Sequence, residues 1–163
     1  MYDLKPLSKE AIPKALEKAE RYRLLNEPWG AESICLDVLQ LEPENQRALV
    51  ILLLAITDQF VNSPRVHEAR ELLPHLQSEY DRAYYAGIIC ERRGKTLLDH
   101  SGPGSGYVAY DWFRDAMSNY EKAIAVRSPG NDDAVLRWNT CARIITRYHL
   151  ESSPHDTSEP GLE

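Results

Sequence analysis

The sequence predicts an all-α fold of antiparallel helix hairpins, and three observations carry that prediction. The first is apolar periodicity. In the stretch Ala31 to Asn45 (AESICLDVLQLEPEN), residues Ala31, Ile34, Cys35, Val38 and Leu39 form one helical stripe that stops at a turn through Pro43 and Asn45. The second is spacing. Steps of 34 residues from that stretch divide the chain into units 12–45 and 46–79, with a third opening at Tyr80, and Ala116 to Pro129 (AMSNYEKAIAVRSP) repeats the ending of the first unit. The third is the longest apolar run, Ala48 to Ile56 (ALVILLLAI). It is too long for an ordinary strand and lies in phase with the units around it, so it reads as a helix covered on both sides.

Residues 1–7 read as a short arm, with Ser8 as N-cap of a first helix over SKEAIPKALEKAERYRLL. Pro13 stands near the start of that helix, where a missing N–H costs least. Ala15, Ala19 and Tyr22 give it a buried face, and Asn26 to Gly30 (NEPWG) is the turn into the organising helix. After the apolar run, the second unit continues through VHEARELLPHLQSEY, where Pro74 should kink or end the helix. The third unit, 80–130, opens with AYYAGIICERRG, in which Ala86 and Gly87 suit a close helix approach and Gly94 suits a turn. A long insertion follows at 95–115, about seventeen residues beyond the 34-residue period. GPGSG (Gly102 to Gly106) is its irregular tip, with helical extensions on either side, so an elongated hairpin is expected. A capping helix spans 132–150, with Asp132 and Asp133 at its start and Val135, Trp138, Cys141, Ala142 and Ile145 on its apolar face. Residues 151–163 are rich in Ser, Pro and acid and are expected to be a disordered acidic tail. The count is seven helices around one continuous core containing Ala31, Cys35, Leu39, Leu52, Ala86, Cys90, Ala116, Tyr120 and Ala123.

At 163 residues and 43% hydrophobic, the chain suits one domain, 1–150, with a real core. No run approaches the ~18 apolar residues of a membrane helix. MYDLKPLSKE does not read as a secretory signal, because Asp3 stands among its lysines and no apolar segment follows. Cys35, Cys90 and Cys141 fall on the apolar stripes of different helices and form no Cys-x-x-Cys, which suits buried thiols in the cytoplasm. The net charge is −6, but Glu151, Asp156, Glu159 and Glu163 supply four of the 25 acids. Without them 19 bases face 21 acids, with no basic excess for nucleic acid.

The period, the turn proline Pro43 and the small residues Ala86, Gly87 and Gly94 resemble the tetratricopeptide repeat family over about residues 12–145. The resemblance implies a right-handed superhelix of hairpins, an α-solenoid, and a concave groove lined by the first helix of each hairpin. It also implies a protein-interaction module or adaptor that binds a protein or peptide there. In this phase the groove positions are Arg23, Arg47, Leu54, Tyr84, Ile88, Arg92, Asn139 and Arg143. Arginines at the edges of an apolar stripe suit a peptide carrying acidic groups, because guanidinium holds carboxylate through two parallel hydrogen bonds. The Lys-and-Asn clamp with which some family members hold a chaperone's C-terminus has no matching residues. The small tetratricopeptide chaperones of secretion systems are a second resemblance, through length and repeat number.

Chemistry points away from catalysis. His67 begins HEAR with no second histidine four residues on, and His75, His100, His149 and His155 are scattered. GPGSG has neither the serine elbow of a hydrolase nor the Gly-Lys-Ser/Thr of a nucleotide loop. The paired acids at Glu42 and Glu44, and at Asp132 and Asp133, sit at turns and caps. The expectation is therefore no enzyme, no metal and no cofactor. A small-ligand protein or enzyme using the 99–106 loop, with Asp99 and His100, is the alternative of another class. Finally, Tyr107, Tyr110, Trp112 and Phe113 crowd the insertion. Tyr107 and Trp112 are expected to form an exposed patch for a partner or for self-association through the 95–115 hairpin.

Overall fold

The computed structural model describes residues 1–100 and 102–154. They form seven α-helices: α1 (Ile12–Leu24), α2 (Pro28–Leu41), α3 (Gln46–Asp58), α4 (Val66–Glu71), α5 (Glu79–Leu98), α6 (Ser105–Ala125) and α7 (Asp133–Arg147). Two 3₁₀ turns, Lys9–Ala11 and Leu73–His75, precede α1 and follow α4. No strand occurs among the described residues. The protein is all-helical. The expected tail lies mostly outside the described residues, which end at Pro154.

Local chemistry sets the helix ends. α1 closes on Asn26 in the left-handed region (φ 60°), and the Glu27 N–H returns to the Tyr22 carbonyl at 2.8 Å. Pro28 then opens α2, where its missing N–H is not needed. Asn45 caps α3 by accepting from the Ala48 N–H at 2.9 Å, and Ser78 caps α5 by accepting from Asp81. α7 ends like α1, with His149 at φ 51° and the Leu150 N–H on the Ile145 carbonyl. Ser8 makes no cap bond, and α1 starts only after the 3₁₀ turn.

Each helix packs on its successor, and α1 with α3 and α3 with α5 also touch. α3 therefore buries Ala48, Leu49, Ile51, Leu52, Leu53, Ala55, Ile56 and Thr57 on nearly every side. α4 is only one and a half turns long, and Pro74 sits in the 3₁₀ turn that replaces its continuation. Gln46 clasps the link to α5, donating to the His75 carbonyl and accepting from the Gln77 N–H.

Three expectations need correction. The core is two clusters, one built on α1, α2 and α3 with Ala69 of α4 and Ile89 of α5, and one on α5, α6 and α7, with Leu54 and Tyr85 packed on both. Leu39 and Ala86 are only half-buried. Gly94 does not turn the chain: α5 runs straight through it to Leu98, because the Phe113 ring fills the space over its missing Cβ. The 95–115 insertion lengthens α5 and α6 on either side of residues 99–104.

Candidate functional site

The sequence-derived groove residues fall on α1, α3, α5 and α7, and the structure sorts them into four kinds. Arg23 and Arg92 converge on one carboxylate, Asp58 at the end of α3. Arg23 donates to its two oxygens at 2.7 and 3.3 Å, and Arg92 donates to Oδ1. All three side chains are about four-fifths buried. This bridge joins α1, α3 and α5 and occupies both arginines. Arg47 is exposed and engaged with Glu20 of α1 at 2.9 and 3.3 Å.

Leu54, Tyr84 and Asn139 are half-buried. Tyr84 stacks on Tyr80 with centroids 5.6 Å apart and meets Tyr85 edge-on at 5.1 Å. Ile88 is not a groove residue: it is 1% exposed. α5 has α3 and α4 on one side and α6 on the other, so its buried arc takes in Gly87, Ile88, Ile89, Cys90 and Glu91 without a break.

Arg143 alone among the four arginines stays exposed without an ion pair among the described residues. It lines a groove of about 440 Å³ between the C-terminal ends of α5 and α7. Leu98 and Ile144 supply apolar walls, Arg147 adds a second cation and Lys95 a third that is ion-paired with Glu91, and the acid Asp99 also lines the groove. Of these neighbours only Asp99, named with the 99–106 loop, was singled out as a site residue from the sequence. Lys95 and Leu98 lie in the insertion, and the position of α7 relative to α5 is tertiary information.

The aromatic patch is a second correction. Trp112 is half-buried in the second cluster, and the Arg70 guanidinium from α4 lies 5.1 Å from its ring centroid. Tyr107 instead lines a 250 Å³ cavity with Tyr148, His149 and Leu150 beyond α7. Five residues apart on α6, the two rings point to different neighbours and make no common surface.

The sequence reading also missed a buried carboxylate. Glu91 has no exposed surface, accepts from the Tyr120 hydroxyl at 2.6 Å and from Arg137 of α7 at 3.3 Å, and has the Lys95 ammonium 2.8 Å from Oε1. Lys95 is near in charge but not aligned to donate, and Oε1 has no hydrogen bond among the described residues. Burial, reinforced by Glu91, pushes the Tyr120 hydroxyl upward. Burial is the largest effect on Arg137 and opposes its charge, but Glu91, Tyr84 and Tyr120 together outweigh it and raise the guanidinium above its ordinary value. Helical spacing could have flagged this acid, because Glu91 shares a stripe with Gly87 and Gly94.

Among the described residues no three His, Cys, Asp or Glu side chains converge as metal ligands. Cys35, Cys90 and Cys141 are separate buried thiols, and burial pushes Cys35 and Cys141 up to about 12. In the 99–106 loop, Nδ1 of His100 is engaged with the Thr96 carbonyl at 2.6 Å. No helix among the described residues is long and apolar enough to cross a membrane. No protein-family model matches the chain, and comparisons with curated proteins and with solved structures find no match.

Proposed function

We propose that the chain is a protein-interaction module of the tetratricopeptide type, a cytoplasmic adaptor that receives an anionic peptide segment of its partner between α5 and α7. The observation that carries this reading is the groove in which Arg143 and Arg147 flank Leu98 and Ile144, with Lys95, paired to Glu91, and Asp99 also lining it. Cations framing an apolar floor fit a segment that alternates carboxylates with apolar side chains. The neighbour pattern of the helices supports the repeat assignment, because α1 touches α3 and α3 touches α5 while each also packs on the helix that follows it. Three unpaired buried thiols support a reducing compartment.

The arginines at the other end serve a different role in this reading. Arg23 and Arg92 hold Asp58, Arg47 holds Glu20 and Lys95 is paired with Glu91, so they stabilise the scaffold and leave the receiving charge to Arg143 and Arg147 of α7. Selection from a random peptide library tests the proposal. Acid-rich peptides with apolar residues should be enriched, and Arg143→Glu with Arg147→Glu should weaken them at least about tenfold, the equivalent of ~1.4 kcal/mol. Binding should also weaken with added salt. Enriched peptides without acids, or unchanged affinity in the double variant, would defeat the proposal.

A further inference from the structure

The two ends of the helix array carry opposite charge. Residues 26–46, which contain α2, hold five acids and no Lys or Arg, whereas residues 133–150, which contain α7, hold three arginines, of which Arg137 is held by Glu91, and one acid, Asp133 at the helix start. The first segment belongs to the hairpin that opens the array and the second to the helix that closes it.

Both helices also leave an outward stripe uncovered, with the same spacing. On α2 the exposed positions are Trp29, Ser33, Leu36 and Gln40; on α7 the face of Leu136, Thr140, Arg143 and Arg147 is exposed, with the exposed Asp133 one turn before it and Thr146 beside it. Each set steps by four, three and four residues, which keeps it on one helix face. Trp29 is 68% exposed and Leu136 63%, beside Leu24 and Leu25 at one end and Tyr148 at the other. A tryptophan left open with two leucines exceeds the scattered apolar exposure of an ordinary surface. Neither Asp37 on α2 nor Arg143 on α7 has an ion pair among the described residues.

We propose that these two faces are complementary and bind each other between copies, so that the α2 stripe of one chain docks on the α7 stripe of the next. The apolar residues form the centre of the contact, and Glu27 and Asp37 face Arg143 and Arg147 around it. Such a contact is heterologous: each copy uses two different surfaces and leaves one of each free. Association therefore grows into rings or open chains and does not stop at a symmetric dimer. The α7 stripe shares Arg143 and Arg147 with the peptide groove, so a second copy and an anionic peptide compete.

Sedimentation equilibrium on the full chain and on two single-face variants tests this. The unaltered chain should show a weight-average mass that rises with concentration past two chains and falls at high salt. Trp29→Asp and Leu136→Asp change exposed residues and should remain folded by circular dichroism. Each alone should sediment as a single chain, because each has lost one of the two faces. Mixed in equal amounts they should give a complex of two chains, since Trp29→Asp keeps its α7 face and Leu136→Asp its α2 face.

A chain that stays monomeric at every concentration overturns the inference, as does a mixture that stays monomeric or either variant associating as before. Trp29 lies away from the groove between α5 and α7, so Trp29→Asp should bind selected acidic peptides normally. Peptide binding without self-association would leave the proposed function standing and remove only this inference. Self-association without binding of any acidic peptide would do the reverse.

Discussion

Gly87 and Tyr120 compete for the same volume. A Cβ built on Gly87 would run into three atoms of the Tyr120 ring, which is fully buried and anchored through its hydroxyl to Glu91. The ring cannot swing aside without breaking that bond, so Gly87→Ala should cost about 1–3 kcal/mol and Gly87→Leu more. Gly94→Ala is the control. Its Cβ would meet Phe113 at 3.1 Å, and that ring has no polar anchor, so urea denaturation should show a smaller loss. Equal losses would mean that the Tyr120 anchor does not matter. Tyr120→Phe by itself removes a hydrogen bond to a buried charge and should cost about 1.5–3 kcal/mol. Combining it with Glu91→Met should cost less than the sum of the two single changes, because the double variant buries no unpaired carboxylate. An additive cycle would show that the two groups act independently. The close approach at Gly87 was legible in the sequence, because a small residue on an apolar stripe has a direct steric meaning. For Glu91 the spacing from Gly87 and Gly94 marks only that an acid falls on the buried stripe; what holds it was not legible, because its partners Tyr120 and Arg137 come from helices distant in sequence.

α4 is the element least able to hold itself in place. It has six residues, one fully buried side chain, Ala69, and a proline in the turn that follows. Its entry is fixed by Arg65, which donates to both oxygens of Glu32 on α2 at 2.7 and 2.9 Å and also reaches Glu68. The Arg65 hydrogen bond holds the Glu32 carboxyl below its ordinary value of 4.5, against the opposing effect of burial. A carboxyl lowered in the folded state stabilises it fully above the unfolded value and loses that contribution as pH falls through the folded one. Between about pH 5 and 3 the melting temperature should therefore fall more steeply than in Arg65→Met, which loses the largest lowering influence and keeps only the Gln59 hydrogen bond. Parallel acid limbs would mean that Glu32 and Arg65 do not couple. Sequence reasoning found α4 and its stop, because proline acts locally. It misplaced the end of α5 at Gly94, since glycine can serve either a turn or a close contact and only the position of Phe113 decides.

The two apolar clusters meet along α5, where Ile89 belongs to the first and Ile88 and Cys90 to the second, and at Leu54 and Tyr85. The Arg23–Asp58–Arg92 bridge joins α1, α3 and α5 there, and Arg70 of α4 lies over Trp112 of α6. The groove phase read from the sequence put Arg23 and Arg92 on the correct helices and on one face. It gave them an external acid, because no local signal shows that Asp58 closes α3 between them. With that carboxylate in place two guanidiniums share one counter-charge; without it two half-buried cations face each other. Asp58→Ala should therefore remove a hydrogen-bonded anion and create repulsion in one step, at a cost of about 3–5 kcal/mol if the bridge behaves as a buried pair. The loss should fall on the join between the clusters, since all three helices meet there and α6 and α7 do not. Hydrogen exchange separates this from general weakening. In the unaltered chain the slowest amides of α2 and α6 should open with similar free energies. In Asp58→Ala those of α2 should exchange well before those of α6, because α5, α6 and α7 keep the intact Glu91 network and their own core. Adding Arg23→Met to Asp58→Ala should restore part of the protection in α2 by removing the repulsion. If α2 and α6 lose protection equally, the bridge is not the join, and packing at Leu54, Tyr85 and Ile89 carries the coupling.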